Sequence, residues 1–235
     1  MKIYLSPSKQ TANLYAAGNT NEQTQCNLIA AAAEKALRRC GFEVKKAPEG
    51  QAIEESVRQS NAWGADLHIP IHTNAGGGKG CVVFVSSFNG DRKAYGQAVF
   101  DELDAITPYR SVYGVRVNSG LYEIKYTNAM CLYLECEFHD DPELARWIIA
   151  NTAAIGEAIC KGICRAFGAE YVKEGSEDEM IRWNKLEDMP AGYRKMAQRY
   201  VDAGALKGKI DGSLDLSEDM LRVMEIMRRY FEGER

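Results

Sequence analysis

Asp66-Leu67-His68-Ile69-Pro70-Ile71-His72-Thr73-Asn74-Ala75 is an apolar run that carries a histidine to its end and then breaks into Gly76-Gly77-Gly78. A short apolar run bounded by a glycine loop reads as a buried strand. A buried strand that ends in His is where an α/β sheet presents a metal ligand, since the strand fixes the imidazole and the small residues leave room beside it. A hydrogen-bonded structural histidine is the other reading of the same position. His68 lies four residues earlier and therefore on the same face, because strand side chains alternate. It reads as packed deeper there than His72.

Outward from this strand, strands and helices alternate. Lys2–Leu5 reads as a strand that enters a Ser/Pro/Asn/Gly-rich loop, residues 6–20. From Asn21 the pattern is helical, with Leu28–Ala33 and Leu37 on one face, and it stops at Cys40-Gly41. Phe42–Lys45 is a strand, Ala52–Trp63 a helix, Cys81–Val85 a strand buried on both faces and Asp91–Ile106 a helix. Ser111–Val117 is a strand or loop, and Cys131–Cys136 is another buried strand. Asp141 opens a long helix to about Phe167, with Pro142 in its first turn. The fold class is α/β: a mostly parallel twisted sheet with helices on both faces, plus a small C-terminal two-helix module. Residues 1–169 form the main domain, residues 170–180 an acidic linker without periodicity, and residues 181–235 the module. Its helices are expected at Pro190–Ala205 and Ser217–Phe231. Two helices bury little alone, so they need a third surface, either the main domain or another copy of the chain, which makes a homo-oligomer an expectation.

Composition narrows the function. At 235 residues, 46% hydrophobic and 26% charged, the chain reads as soluble and globular. A formal charge of −4 provides no basic field for nucleic acid, and no segment reaches the apolar length of a membrane span. Met1–Pro7 lacks the apolar core of a secretory signal, so synthesis in the cytoplasm is expected. The seven cysteines are an odd number with no CxxC pair and read as reduced core thiols; Cys160 and Cys164, one turn apart, read as contacts of the last helix.

Three groups sit where a parallel sheet brings its carboxyl edge together: Glu22 in the first turn of the first long helix, His72 on the central strand and Glu135 on the last buried strand. One His and two carboxylates suit a zinc hydrolase, in which two groups hold the metal and a free carboxylate takes a proton from water. An acid in a first helical turn also serves the helix dipole, which is the plainer reading of Glu22. Glu135 is harder to explain away, because an unpaired buried carboxylate costs several kcal/mol.

On these motifs the sequence resembles the zinc-dependent N-acetylmuramoyl-L-alanine amidases of cell-wall hydrolases and phage endolysins, over about Met1–Phe167. Ile71-His72-Thr73-Asn74-Ala75 is similar to the family's "S-I-H-A-N-A" ligand segment, and Glu22 ahead of Asn27-Leu28-Ile29-Ala30 to its ligand Glu. Leu134-Glu135-Cys136-Glu137-Phe138 is similar to the "L-V-E-x-G-F" segment with the catalytic Glu. The resemblance implies Zn²⁺ as cofactor, peptidoglycan as substrate and the bacterial cell wall as the place of action. It implies His72 and Glu22 as metal ligands and Glu135 as the catalytic base.

One departure stands out. The family's first ligand is the His of a "D-P-G-H-G" loop, and here the loop reads Ser6-Pro7-Ser8-Lys9-Gln10. Gln10 is the candidate third ligand through its amide oxygen, or else a hydrogen-bonding loop residue. Alternatively the Lys9 ammonium fills the position and pairs with Glu22. The second functional reading is accordingly a catalytically impaired module of the same fold that binds peptidoglycan fragments. His139, after the Glu135 strand, is either a substrate contact or a helix-entry residue.

Overall fold

The central strand, β3 (Leu67–Asn74), runs two residues beyond His72 and organises a seven-stranded sheet. The other strands are β1 (Lys2–Pro7), β2 (Glu43–Lys46), β4 (Val82–Val85), β5 (Gly114–Val117), β6 (Met130–Cys131) and β7 (Tyr133–Phe138). Their order is β2-β1-β3-β7-β4-β5, with β6 paired to β3. Every pairing is parallel except β4 against β7. The helices of this unit are α1 (Glu22–Arg39), α2 (Ile53–Trp63), α3 (Arg92–Asp104), α4 (Tyr122–Tyr126) and α5 (Pro142–Phe167). The structure describes residues 1–174, 182–209 and 212–232. The chain divides into two units, Met1–Val172 and Lys173–Arg235. Most of the expected acidic linker, residues 175–180, lies outside the described residues.

Strand alternation sorts the sheet into two unlike faces. Ile3 and Leu5 of β1, Leu67, Ile69 and Ile71 of β3, Val83 of β4, and Leu134 and Cys136 of β7 all join one apolar core. Ile29 and Leu37 of α1, Val99 and Leu103 of α3, and Ile155, Ile159 and Ile163 of α5 complete it. The opposite face carries Tyr4, His68, His72, Tyr133 and Glu135, and it meets the short helices α2 and α4. Tyr4 donates from its hydroxyl to Gln59 at 2.8 Å, and Ile124 of α4 packs with Tyr133. A strand buried on both faces is normally apolar throughout. The polar residues of β3 therefore mark where the sheet has been given over to chemistry.

Helix ends follow local rules. Asn21 caps α1 by accepting from the Thr24 N–H at 3.0 Å, and Asp141 caps α5 through the Glu143 and Leu144 N–H groups. Gly41, at φ +82°, turns the chain left-handed after α1. Gly156 permits the close approach of α5 to α1, since a Cβ there would stand 2.6 Å from both Ala32 Cβ and the Ala33 backbone nitrogen. Gly156→Ala is expected to lower stability by about 1–3 kcal/mol through overpacking. A lower denaturant midpoint at unchanged m value would register it.

The second unit contains β8 (Arg182–Trp183), a 3₁₀ turn (Leu186–Asp188), α6 (Ala191–Asp202), β9 (Leu216–Ser217) and α7 (Glu218–Glu232), with β8 and β9 antiparallel. Trp183, Met189, Met196, Ala197, Leu216 and Leu221 form its own core. The β8–β9 pair and the 3₁₀ turn give the two helices a surface of their own, while Met220, Val223, Ile226 and Met227 of α7 stay exposed. Ser217 caps α7, its hydroxyl accepting from the Met220 N–H at 3.3 Å. Among the described residues, no helix is long and apolar enough to cross a membrane.

Candidate active site

The carboxyl ends of β1, β3 and β7 converge with the start of α1. His72 and Glu135 are register partners on adjacent parallel strands and so share a face. The register slips by one residue between that pair and Asn74–Phe138, a bulge of the kind found beside active sites. Glu22, the first residue of α1, reaches over the sheet edge, and its Oε1 lies 2.8 Å from His72 Nδ1. Asn13 donates to Glu22 Oε2 at 2.6 Å and to Gln10 Oε1 at 2.9 Å. Glu22 and His72 are almost entirely buried.

The structure places the loop residues as follows. Gln10 is exposed and joined to Glu22 through the Asn13 amide. Lys9 is exposed, and Glu22 is taken up by His72 and Asn13, so the pairing of Lys9 with Glu22 is not what forms. His139 is buried: it stacks on Tyr15 with ring centroids 5.0 Å apart and meets Thr73 Oγ1 through Nδ1 at 2.9 Å. It pins the loop of residues 11–20 to the sheet, and that is a structural role. Both strands also run further than the sequence suggests, so neither His72 nor Glu135 is terminal.

The resemblance places Tyr122-Glu123 and Lys125 in the family's site-lining segment before the catalytic strand, but gives Glu123 no side-chain role. Glu123 is buried on α4, its Oε1 lies 3.1 Å from His68 Nε2, and its Oε2 lies 4.0 Å from His72 Nε2. One carboxylate thus bonds His68 and brings its charge near His72, four residues on along the same strand face. His72 has a carboxylate facing each ring nitrogen and Tyr133 stacked on its plane at 4.6 Å. A carboxylate behind a ligating imidazole fixes its tautomer and orientation. The signal that leads to Glu123 is the buried His68 itself, whose ring needs a hydrogen-bond partner; Glu123 meets its Nε2. Glu123→Ala is expected to destabilise the fold by about 1–3 kcal/mol, the cost of stranding a buried polar partner. Glu123→Gln should recover most of that loss, and thermal melts of the two variants compare them.

Burial raises two carboxyls on β7, each with a buried Oε2 that has no partner among the described residues: Glu137, whose Oε1 accepts from the Gly80 and Phe138 N–H groups, and Glu135, register partner of His72. Burial pushes the Glu135 carboxyl up, the Glu22 charge adds to this and His72 partly offsets it, leaving the group at about 7. For Glu22, burial acts upward as well, but the His72 and Asn13 hydrogen bonds outweigh it and hold the carboxyl below its usual range. For His72, burial acts downward and is outweighed by the Glu22 hydrogen bond and the charges of Glu135, Glu22 and Glu123, so the imidazole is raised. A cleft of about 290 Å³ opens at His72, lined also by Glu123, Tyr122, Tyr133, Lys9 and Gln10.

An imidazole nitrogen and a carboxylate oxygen aimed at one point are donors that zinc accepts. The orphaned Glu135 oxygen nearby is a buried group still in need of a proton or a cation. Two positions of a zinc site therefore fit. Among the described residues, no third His, Cys, Asp or Glu donor lies within 4.8 Å of both.

The fold is similar to that of N-acetylmuramoyl-L-alanine amidase AmiC2 of Nostoc punctiforme, at TM-score 0.64 and 14% identity over 72% of this chain and 97% of that one. It is also similar to the N-acetylmuramoyl-L-alanine amidase from Clostridium difficile 630, at TM-score 0.64 and 18% identity over 71% and 96%. The catalytic domain of the CD27L endolysin targeting Clostridia difficile matches at TM-score 0.57 and 23% identity over 70% and 97%. No curated protein is significantly similar to the chain. The family model described as N-acetylmuramoyl-L-alanine amidase matches residues 5–165, a span that holds Glu22, His72, Glu123 and Glu135 alike. The chain belongs to the N-acetylmuramoyl-L-alanine amidase family, hydrolases that act on peptidoglycan.

Proposed function

We propose that this chain cleaves the amide bond between the lactyl group of N-acetylmuramic acid and the first L-alanine of the stem peptide, with Glu135 as general base. The observation that carries this reading is the buried, unpartnered Oε2 of Glu135, on the same sheet face as the Glu22–His72 pair. A carboxyl that burial raises in the metal-free chain is suited to take a proton from water and return it to the leaving amine. Glu22 and His72 would hold zinc, with the Gln10 amide oxygen the candidate for the third protein ligand. When bound, zinc lowers the pKa of water and polarises a carbonyl. The Glu123 carboxylate faces the far nitrogen of His72 at 4.0 Å and adds its charge there, while Nδ1 is held by Glu22 at 2.8 Å. Tyr133 and Tyr122 give the cleft an aromatic wall that suits the faces of a sugar ring and its lactyl-peptide branch. The proposed place of action is the bacterial cell wall.

Release of free L-alanine amino groups from purified peptidoglycan, measured together with bound zinc, tests the reading. Glycan ends released without new amino groups would refute it. The weak third donor leads to a further expectation: Gln10→His should bind zinc about tenfold or more tightly than the parent chain, because imidazole nitrogen is the better donor. Calorimetric titration of the two proteins measures the difference.

A further inference from the structure

The structure assigns a second, unrelated ligand set to the far end of α1. Cys40 is the C-cap residue of α1, and Cys160 and Cys164 lie one turn apart on α5. Their sulfurs converge: Cys160 Sγ is 3.5 Å from Cys40 Sγ and 4.0 Å from Cys164 Sγ, and all three lie within 4.8 Å of one another. The length of α1, about 27 Å at 1.5 Å per residue, separates Cys40 from Glu22, so this cluster is no part of the cleft.

The spacing excludes a disulfide and admits a shared ligand. Two sulfurs bound to one zinc at about 2.3 Å and tetrahedral angles stand roughly 3.8 Å apart, whereas a disulfide needs about 2.05 Å. The sulfurs here stand at ligand separation. Burial pushes the Cys160 and Cys164 thiols up, so their ionisation needs a bound cation. The Val172 N–H donates to Cys40 Sγ at 3.3 Å, and the neighbouring Arg39 is anchored by Glu157, which accepts from Nη2 at 2.8 and 2.7 Å. Arg39 Nη1 is buried and has no hydrogen-bond partner among the described residues. Three thiolates around a divalent ion leave one net negative charge, which the adjacent guanidinium complements. Cys40 is only partly buried and offers a way in, while Cys160 and Cys164 are fully buried.

We propose that Cys40, Cys160 and Cys164 form a trithiolate site for one thiophilic cation of the zinc class, fastening the end of α1 to α5. Binding is not a redox step; each thiol that ligates releases its proton to solvent, so affinity rises with pH. As neutral thiols the same residues make only a weak chain, with Cys160 donating to Cys40 and Cys40 to the Val172 carbonyl at 3.8 Å. That chain would be a core contact with no metal affinity.

The test is a Cd²⁺ titration of the reduced full chain, following sulfur-to-metal charge-transfer absorption and the melting temperature. Expected are one saturating equivalent of thiolate absorption and a rise in melting temperature, both retained in His72→Ala and both lost when Cys160→Ala is added to it. Cys40→Ser, at a partly exposed cap, keeps the test decisive should Cys160→Ala fold poorly: it should abolish the absorption while peptidoglycan hydrolysis persists. Absorption absent from the parent chain, surviving in Cys40→Ser, or vanishing in His72→Ala alone would overturn the assignment.

Discussion

Glu135→Gln should reduce amide hydrolysis by roughly 10²–10⁴-fold while leaving zinc content unchanged. The amide keeps the shape of the side chain but cannot accept a proton, and general acid–base catalysis is worth about that factor. The structure adds a signature that a merely structural residue would not produce. In the fold the Glu135 carboxyl is raised from 4.5 to about 7, burial being the first cause, so the fold disfavours its ionised form. A carboxyl raised on folding costs no stability below about pH 4.5, loses stability progressively as pH climbs to about 7, and carries the full loss above that. At about 1.4 kcal/mol per unit, the metal-free parent should give up about 3 kcal/mol between pH 4 and pH 8 that Glu135→Gln does not. Chemical denaturation of both proteins at pH 4 and pH 8 reads the difference. Equal pH dependence in the two, or full activity in the variant, would remove Glu135 from the role of base.

This trade of stability for function explains why some of the site is legible in the sequence. The alternation of β1, β3 and β7 puts apolar residues on the α1/α5 side, so any ionisable residue in such a run falls on the other face or is buried without company. His72 and Glu135 stand out on that ground. Strand and helix alternation likewise gives the α/β class, because the periods of two and 3.6 residues differ over stretches of this length. The role of Glu123 escapes because α4 has five residues, too short to show a helical period, and the partners of that carboxylate lie 55 and 51 positions away. The core of the second unit escapes for the same reason, since β8 and β9 are two residues each and only their pairing gives them a face. The cysteine cluster is invisible because its members come from the end of one helix and the last turns of another, 120 residues on. In each case the missing information is tertiary, carried by which distant elements meet.

His72→Ala should abolish both zinc binding and hydrolysis, since it removes one of only two strong donors in the cleft. It should also cost about 1–3 kcal/mol of stability, because Glu22 loses the partner at 2.8 Å and keeps only Asn13 beside it, while Glu123 loses one of its two imidazoles. These two effects separate cleanly. Glu22→Gln removes the carboxylate donor but leaves an amide oxygen to face His72, so it should match the metal loss of His72→Ala with a smaller change in melting temperature. Zinc content by elemental analysis, hydrolysis and thermal melts on the same preparations decide the matter. If His72→Ala keeps stoichiometric zinc and its activity, the Glu22–His72 pair is a buried ion pair that positions the loop of residues 11–20. The donor set would then have to be sought elsewhere.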